Sequence, residues 1–321
     1  MMRLLLLFAA FISPITLAEA AAAQAKPPDN SVTIEGTDWF DMTGRNGTQY
    51  RIMVYFPEGD APAGGWPILY VLDGDAYFPV AATMAGNLAG SGESGIGDGV
   101  VVAIGYTDEV HRDVDYTLRT PPRPENADAY LYPTIQTGGA DAFLDFIQNE
   151  LKPRIEGRWR IDRARQALVG HGYGGLFVLH SYFTRPDSFS TYIASSPSIW
   201  FMGRAILAEE RAFLARAPRP EGRRLVITAA EFAQSLPPAM AVAPDADARL
   251  QDNGRRRMVD NAREMAWRLQ NAGLPVEWRF FPGETQGSVA YPALGHAIAL
   301  AFALRPAAAS QPTAASQPAA R

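Results

Sequence analysis

Residues Gly170-His171-Gly172-Tyr173-Gly174-Gly175 lie between a short apolar run, residues 166–169, and an apolar helical pattern that opens with Leu176, Phe177 and Leu179 and reaches Tyr182. A strand that turns this sharply into a helix can hold its central residue in a strained backbone conformation, while small neighbours let strand and helix approach closely. The turn serves nucleophilic catalysis when the central side chain carries a hydroxyl. Here that position is Gly172, which has no side-chain atom to react. A plain glycine turn would look the same in isolation, so the rest of the chain decides what it means.

The elements that must position this turn are legible as alternating patterns. Strands are predicted over residues 33–40, 49–56, 68–72 and 100–106, then a helix over 141–151 and the strand entering the glycine turn. Further strands follow over 191–195, 225–229 and 276–281, and a last helix begins near Pro292. Two initial strands followed by strand–helix alternation predict an α/β fold, with a mostly parallel sheet covered by helices on both faces. Residues 88–98 and 107–137 read as long loops and are the expected pocket walls, with Tyr116, Tyr130, Tyr132, Trp200 and Phe232 as aromatic candidates. Arg255, Arg256 and Arg257 read as the solvated first turn of an amphipathic helix carrying Met258, Ala262, Met265 and Leu269, which ends at Gly273 and Pro275.

The run from Gly170 to His180, continued by Thr184-Arg185-Pro186-Asp187 and Ser195-Ser196-Pro197-Ser198-Ile199-Trp200, resembles the putative-esterase family of α/β hydrolases, and within it the siderophore-esterase branch. The resemblance extends to Val71-Leu72-Asp73-Gly74-Asp75, Gly138-Gly139-Ala140-Asp141-Ala142-Phe143, Glu150-Leu151-Lys152-Pro153 and Gly283-Glu284-Thr285-Gln286-Gly287-Ser288-Val289, so it covers residues 33–304. It implies an α/β-hydrolase fold and carboxylic-ester hydrolysis. Two departures fall where that chemistry would be. The resemblance implies Ser where this chain has Gly172 and His where it has Gln286. It also implies an acid in the stretch Ala230-Glu231-Phe232-Ala233-Gln234, where Glu231 survives and Ala233 fills the other position. Which of those two positions supplies the acid stays open.

Ester cleavage by this route needs a hydroxyl to attack the carbonyl and an imidazole to take its proton and return it to the leaving group. Glutamine can hydrogen-bond, but its amide neither accepts nor releases a proton near neutral pH. Loss of a nucleophile or base in subtilisin costs on the order of 10⁶ in turnover. The histidines that could substitute are His111, His171, His180 and His296. His171 is expected to pack beneath the turn, His180 in the core and His296 away from Gly172, leaving His111 on a loop that could overhang the cleft. Ser195, Ser196 and Ser198 border the expected pocket as binding groups. The resemblance places an oxyanion hole at the N–H of Tyr173 and in the Gly74-Asp75 turn. The pocket is expected to draw on His171, Ser196, Ser198, Trp200, Phe232 and Glu284.

Residues 1–20 carry Arg3, an apolar core from Leu4 to Leu17 and an Ala18-Glu19-Ala20 junction, the pattern of a secretory signal peptide. Residues 21–30 form a flexible lead-in, residues 31–305 the hydrolase domain, and residues 306–321 an Ala/Pro/Ser/Gln tail with nothing to bury. The expected location is the bacterial periplasm or outside the cell, with no stable membrane anchor after cleavage. Cysteine is absent, which excludes disulfides and a lipid-modified cysteine. A formal net charge of −5 argues against nucleic acid as a partner. Four scattered histidines without cysteine suggest no metal cluster, and no cofactor is implied. Three readings remain: a pseudo-esterase that binds an ester or siderophore-like small molecule, an ester hydrolase whose activity is residual or rewired through Glu231 or Glu284, and a drifted remnant.

Overall fold

The computed structural model describes residues 32–304, apart from 93–94, 121–123, 126, 129–130, 133 and 217–220. The predicted signal peptide, lead-in and tail lie outside the described residues, as does Tyr130. Strands β1 (Thr37–Thr43), β2 (Gln49–Tyr55), β3 (Trp66–Val71), β4 (Val100–Tyr106), β5 (Ile161–His171), β6 (Thr191–Ser195), β7 (Arg224–Phe232) and β8 (Val276–Thr285) form one sheet in the order β1-β2-β4-β3-β5-β6-β7-β8. β2 pairs antiparallel with β1 and β4, and every other pairing is parallel.

The helices are α1 (Gly74–Gly90), α2 (Arg112–Asp115), α3 (Ala140–Phe146), α4 (Lys152–Glu156), α5 (Tyr173–Thr184), α6 (Phe201–Arg204), α7 (Ile206–Leu214), α8 (Ala246–Arg256), α9 (Met258–Asn271) and α10 (Ala290–Ala301). Successive side chains of a strand point to opposite faces, so a strand buried on both faces reads as a continuous apolar run. β3 and β4 are buried along their whole length for this reason. Leu69, Val71, Val101, Ala103, Ala167 and Val169 pack on one face against Phe78, Ala81 and Ala85 of α1 and Leu294, Ala297 and Ile298 of α10. Ile68, Tyr70, Val102, Ile104 and Leu168 face the opposite core, with Phe143, Leu176, Phe177, Phe213, Met265 and Leu269.

The fold class and the order of strands match the sequence reading; α2, inside the segment expected as the loop 107–137, and α7 were not among the predicted elements, and three further corrections follow. Helix α1 has no counterpart among the predicted elements, and Gly74 and Asp75, expected in a turn, open it; the predicted 88–98 loop begins inside its last turn. Its alanines and its Pro79 give little amphipathic contrast, because the face it buries is built from small residues. Arg255 and Arg256 close α8, and Arg257 sits at φ 48°, breaking the chain before α9. The arginines therefore mark a junction between two helices, not a first turn. The glutamate-bearing Gly283 to Thr285 stretch, expected as a loop, continues β8 because Phe232 of β7 pairs with Thr285 beyond a register shift.

Candidate functional site

The strand ends gather the site. Beyond the carboxyl ends of β3, β5 and β6 stand Asp73, Gly172 and Ser196, at φ 53°, 61° and 41°. In doubly wound sheets ligands bind at this edge. Left-handed backbone at a non-glycine residue costs about 1–3 kcal/mol and persists only where its surroundings impose it. Asp73 and Ser196 therefore carry strain on either side of the glycine.

Close approach explains the small residues of the turn. A Cβ on Gly170 would lie 2.4 Å from the carbonyl oxygen of Gly174, and one on Gly175 would lie 2.9 Å from that of Ser195. Gly172 differs, because a Cβ there would meet only Ser198 Oγ, at 4.0 Å. Its φ of 61° and ψ of −114° are unfavourable for a side chain, but the space for one is open. The Ser-Pro-Ser segment is fastened to this backbone. Gly172 N–H donates to Ser195 O at 3.0 Å, and Ser198 N–H donates to Gly172 O at 3.0 Å.

Gln286, immediately after β8, reaches the same place. Ser196 Oγ donates to Gln286 Oε1 at 2.6 Å, and Gln286 Nε2 donates to Ser196 O at 3.2 Å, which fixes which end of the amide is nitrogen. That nitrogen lies 3.4 Å from His171 Nε2, and His171 Nδ1 lies 3.1 Å from Ser195 Oγ. Burial first, and the Arg112 charge second, lower the pKa of His171 to about 4, so the ring is neutral at neutral pH. Ser195, which shares the His171 Nδ1 contact, is buried.

The two glutamates are engaged elsewhere. Glu231 accepts the Gly283 N–H at 2.7 Å, tying the end of β7 to β8. Glu284 accepts the Ser288 hydroxyl. Phe232 lies in the β7–β8 ladder opposite Thr285. Of the oxyanion-hole candidates, Tyr173 opens α5 and Gly74 opens α1, positions whose N–H groups a helix cannot satisfy from within. The Asp75 carboxylate turns to the sheet and accepts the Tyr106 N–H at 2.9 Å.

Sequence reasoning missed Arg112. Its Nε and Nη2 donate to Asp73 Oδ1 and Oδ2 at 2.9 and 3.3 Å. Burial raises the pKa of Asp73, against the opposing pull of Arg112. The guanidinium also lies 5.7 Å from the Tyr116 ring centroid and 5.5 Å from that of Tyr173. Tyr116, expected in a pocket wall, is instead fully buried against Phe143 and Phe177, and its hydroxyl accepts the Asp73 N–H at 3.0 Å. Trp200 is buried beside Tyr173, with centroids 6.2 Å apart. The Asp73–Arg112 pair joins residues far apart in sequence, and no local motif announces it.

The other histidines have partners of their own. His180 is buried between Glu209, 2.9 Å away, and Asp141, 3.4 Å away. Burial works to lower its pKa, but the two carboxylates outweigh that and raise it to about 9. His296 pairs with Glu277 at 3.0 Å, and His111 precedes α2 with its ring edge-on to Tyr106.

The family model described as "Putative esterase" matches residues 43–283. A siderophore triacetylfusarinine C esterase of Aspergillus fumigatus is 35% identical over 249 residues, 73% of this chain and 81% of that protein. A ferri-bacillibactin esterase of Bacillus subtilis is 34% identical over 284 residues, 85% of this chain and 91% of that protein. Among solved structures, a siderophore hydrolase of Aspergillus nidulans superimposes with a TM-score of 0.75 at 31% identity, covering 84% of this chain and 95% of that one.

Proposed function

This chain belongs to the putative-esterase family, and from that premise we propose that it is a pseudo-esterase, which binds a siderophore-like ester without cleaving it. The observation that carries this reading is the Gln286 network. The residue where the resemblance implies a base is an amide with both ends engaged by Ser196 and its nitrogen facing a neutral His171. Gln286 cannot take a proton from a nucleophile and give it to a leaving alcohol, and the buried His171, its pKa lowered to about 4, is a weak base. A drifted remnant is disfavoured by the strained backbone at Asp73 and Ser196, which an idle site would have no reason to keep. Rewiring through Glu231 or Glu284 is disfavoured because each carboxylate already accepts a bond from the β8 end.

The N-terminal pattern supports export of the mature chain, a proposal checked by the mass of the processed protein after expression in a Gram-negative host. The binding reading is tested with purified protein and a cyclic trilactone siderophore, in iron-loaded and iron-free forms. A ligand-dependent rise in melting temperature with no hydrolysis above buffer is expected. Sustained turnover of the trilactone or of p-nitrophenyl acetate would sink the proposal.

A further inference from the structure

Strand β8 closes one end of the sheet, and its outer edge has no strand beside it among the described residues. Leu225 N–H donates to Pro275 O, so by alternation the backbone groups of Glu277 and Arg279 turn to β7 and those of Trp278 and Phe280 turn outward. A row of unpaired N–H and C=O groups is a template for a further strand. Beside it lies a cleft of about 290 Å³ between β8 and α9, with Ala266, Trp267 and Trp278 in its wall. Trp267 and Phe280 are 64% and 41% exposed, far more than rings of their size are left by a core. We propose that this edge is a dimer interface, at which β8 pairs antiparallel with β8 of a second copy of the chain about a two-fold axis through Trp278. The inference does not depend on what the glycine-turn site binds.

Charge selects both the occupant and the register. Strand alternation puts Val276, Trp278 and Phe280 on the α9 face and Glu277 and Arg279 on the other, where Glu277 meets His296 of α10. A two-fold axis perpendicular to the sheet keeps both faces continuous, with one residue of β8 opposite its own copy. With Trp278 there, Glu277 of each chain opposes Arg279 of the other. Joined to the Glu277–Arg279 pair within each chain, 3.2 Å apart, these contacts close a ring of alternating charge. Moving the axis one residue either way opposes Glu277 to Glu277 or Arg279 to Arg279, like-charge pairs that disfavour it. Pro275 and Pro282, which have no N–H to offer, bound the stretch on both sides. At the axis the two Trp278 residues exchange a pair of backbone hydrogen bonds, and Phe280 N–H reaches the Val276 carbonyl, which has a second lone pair beside its bond from Gln270. Rings of this kind bury about 150–250 Å² each, so Trp267, Trp278 and Phe280 supply the apolar centre that a dimer interface needs. A different protein would have to carry this charge order by coincidence, whereas a second copy carries it by symmetry. The antiparallel arrangement sends the two glycine turns to opposite ends, so both stay accessible.

The test is sedimentation equilibrium of the purified protein from micromolar to submillimolar concentration. A reversible dimer is expected, and Trp267→Ser should weaken it about tenfold or more. Arg279→Glu and Glu277→Arg should each weaken self-association about tenfold. An equimolar mixture of those two variants should form a heterodimer, because every opposed pair is then of unlike sign. The absence of cysteine supplies a second measurement that needs no charge variant. Residues opposed at the axis lie about 5.5 Å apart between Cα atoms, within reach of a disulfide, so mild oxidation should link Trp278→Cys into a covalent dimer and leave Phe281→Cys unlinked. A monomer throughout the range overturns the inference, including a monomer that takes an apolar peptide into the cleft. So does a dimer that Trp267→Ser and the charge variants leave unchanged, a mixture of folded charge variants that stays monomeric, or equal cross-linking at both cysteine positions.

Discussion

Introducing a serine at Gly172 and a histidine at Gln286 tests the proposal that esterase chemistry is absent because of those two positions. In Gly172→Ser, the new Cβ meets only Ser198 Oγ at 4.0 Å, so the cost is backbone strain at φ 61° and not a clash. That strain is about 1–3 kcal/mol, which lowers the melting temperature by about 2–10 °C for a domain of this size. Gln286→His removes the amide from Ser196 and places an imidazole where the nitrogen now faces His171. A nucleophile without its base, or a base without its nucleophile, is worth almost nothing, because the two act as one unit. Each single variant should therefore stay within a few-fold of the parent toward p-nitrophenyl acetate. The double variant should gain at least about 10²-fold, which is what remains of a roughly 10⁶-fold effect when the acid is not aligned and a penalty of about 10⁴ persists. Burst kinetics and labelling of the introduced serine by a fluorophosphonate would identify the acyl-enzyme route. A folded double variant that binds ester yet stays inert would refute the reasoning, and so would full activity from Gly172→Ser alone.

Three further outcomes are expected. Gly172→Ala should lower the melting temperature as much as Gly172→Ser, because the penalty belongs to the backbone and not to the hydroxyl. Asp73→Asn should cost about 2–3 kcal/mol by leaving the half-buried Arg112 without its carboxylate, and Arg112→Met combined with it should recover part of that loss in denaturant titrations. His180, raised to about 9, stabilises the fold fully below its unfolded value of about 6.5 and loses that contribution as pH rises through 9. Lys152, which burial lowers to about 7, has the opposite slope, stabilising as pH rises from 7 toward 10. The stability of wild type minus His180→Gln should therefore fall between pH 6.5 and 9, and a flat difference would show that His180 is not charged in the fold.

Period-two alternation and apolar runs located β4 and β6 to the residue, because strands buried on both faces leave an unmistakable hydrophobic block. α1 escaped the same reasoning, since it packs through alanines and through Phe78 in place of a stripe of large side chains. The glycine turn was legible because close strand–helix approach admits only residues without a Cβ at Gly170 and Gly175. Gly172 and Gln286 were legible as residue types that cannot perform proton transfer.

Tertiary structure alone decided what surrounds those two residues. Which atoms Gln286 faces depends on β6, β7 and β8 lying in that order in the sheet, so that the end of β8 brings Gln286 to Ser196 and His171. The Asp73–Arg112 fork depends on the end of β3 and the start of α2 converging beside Tyr173. A sequence records which groups a chain owns and how they repeat along it. Hydrogen bonds, burial and charge pairing act through space between residues many positions apart, so they exist only once the sheet has fixed the order of its strands.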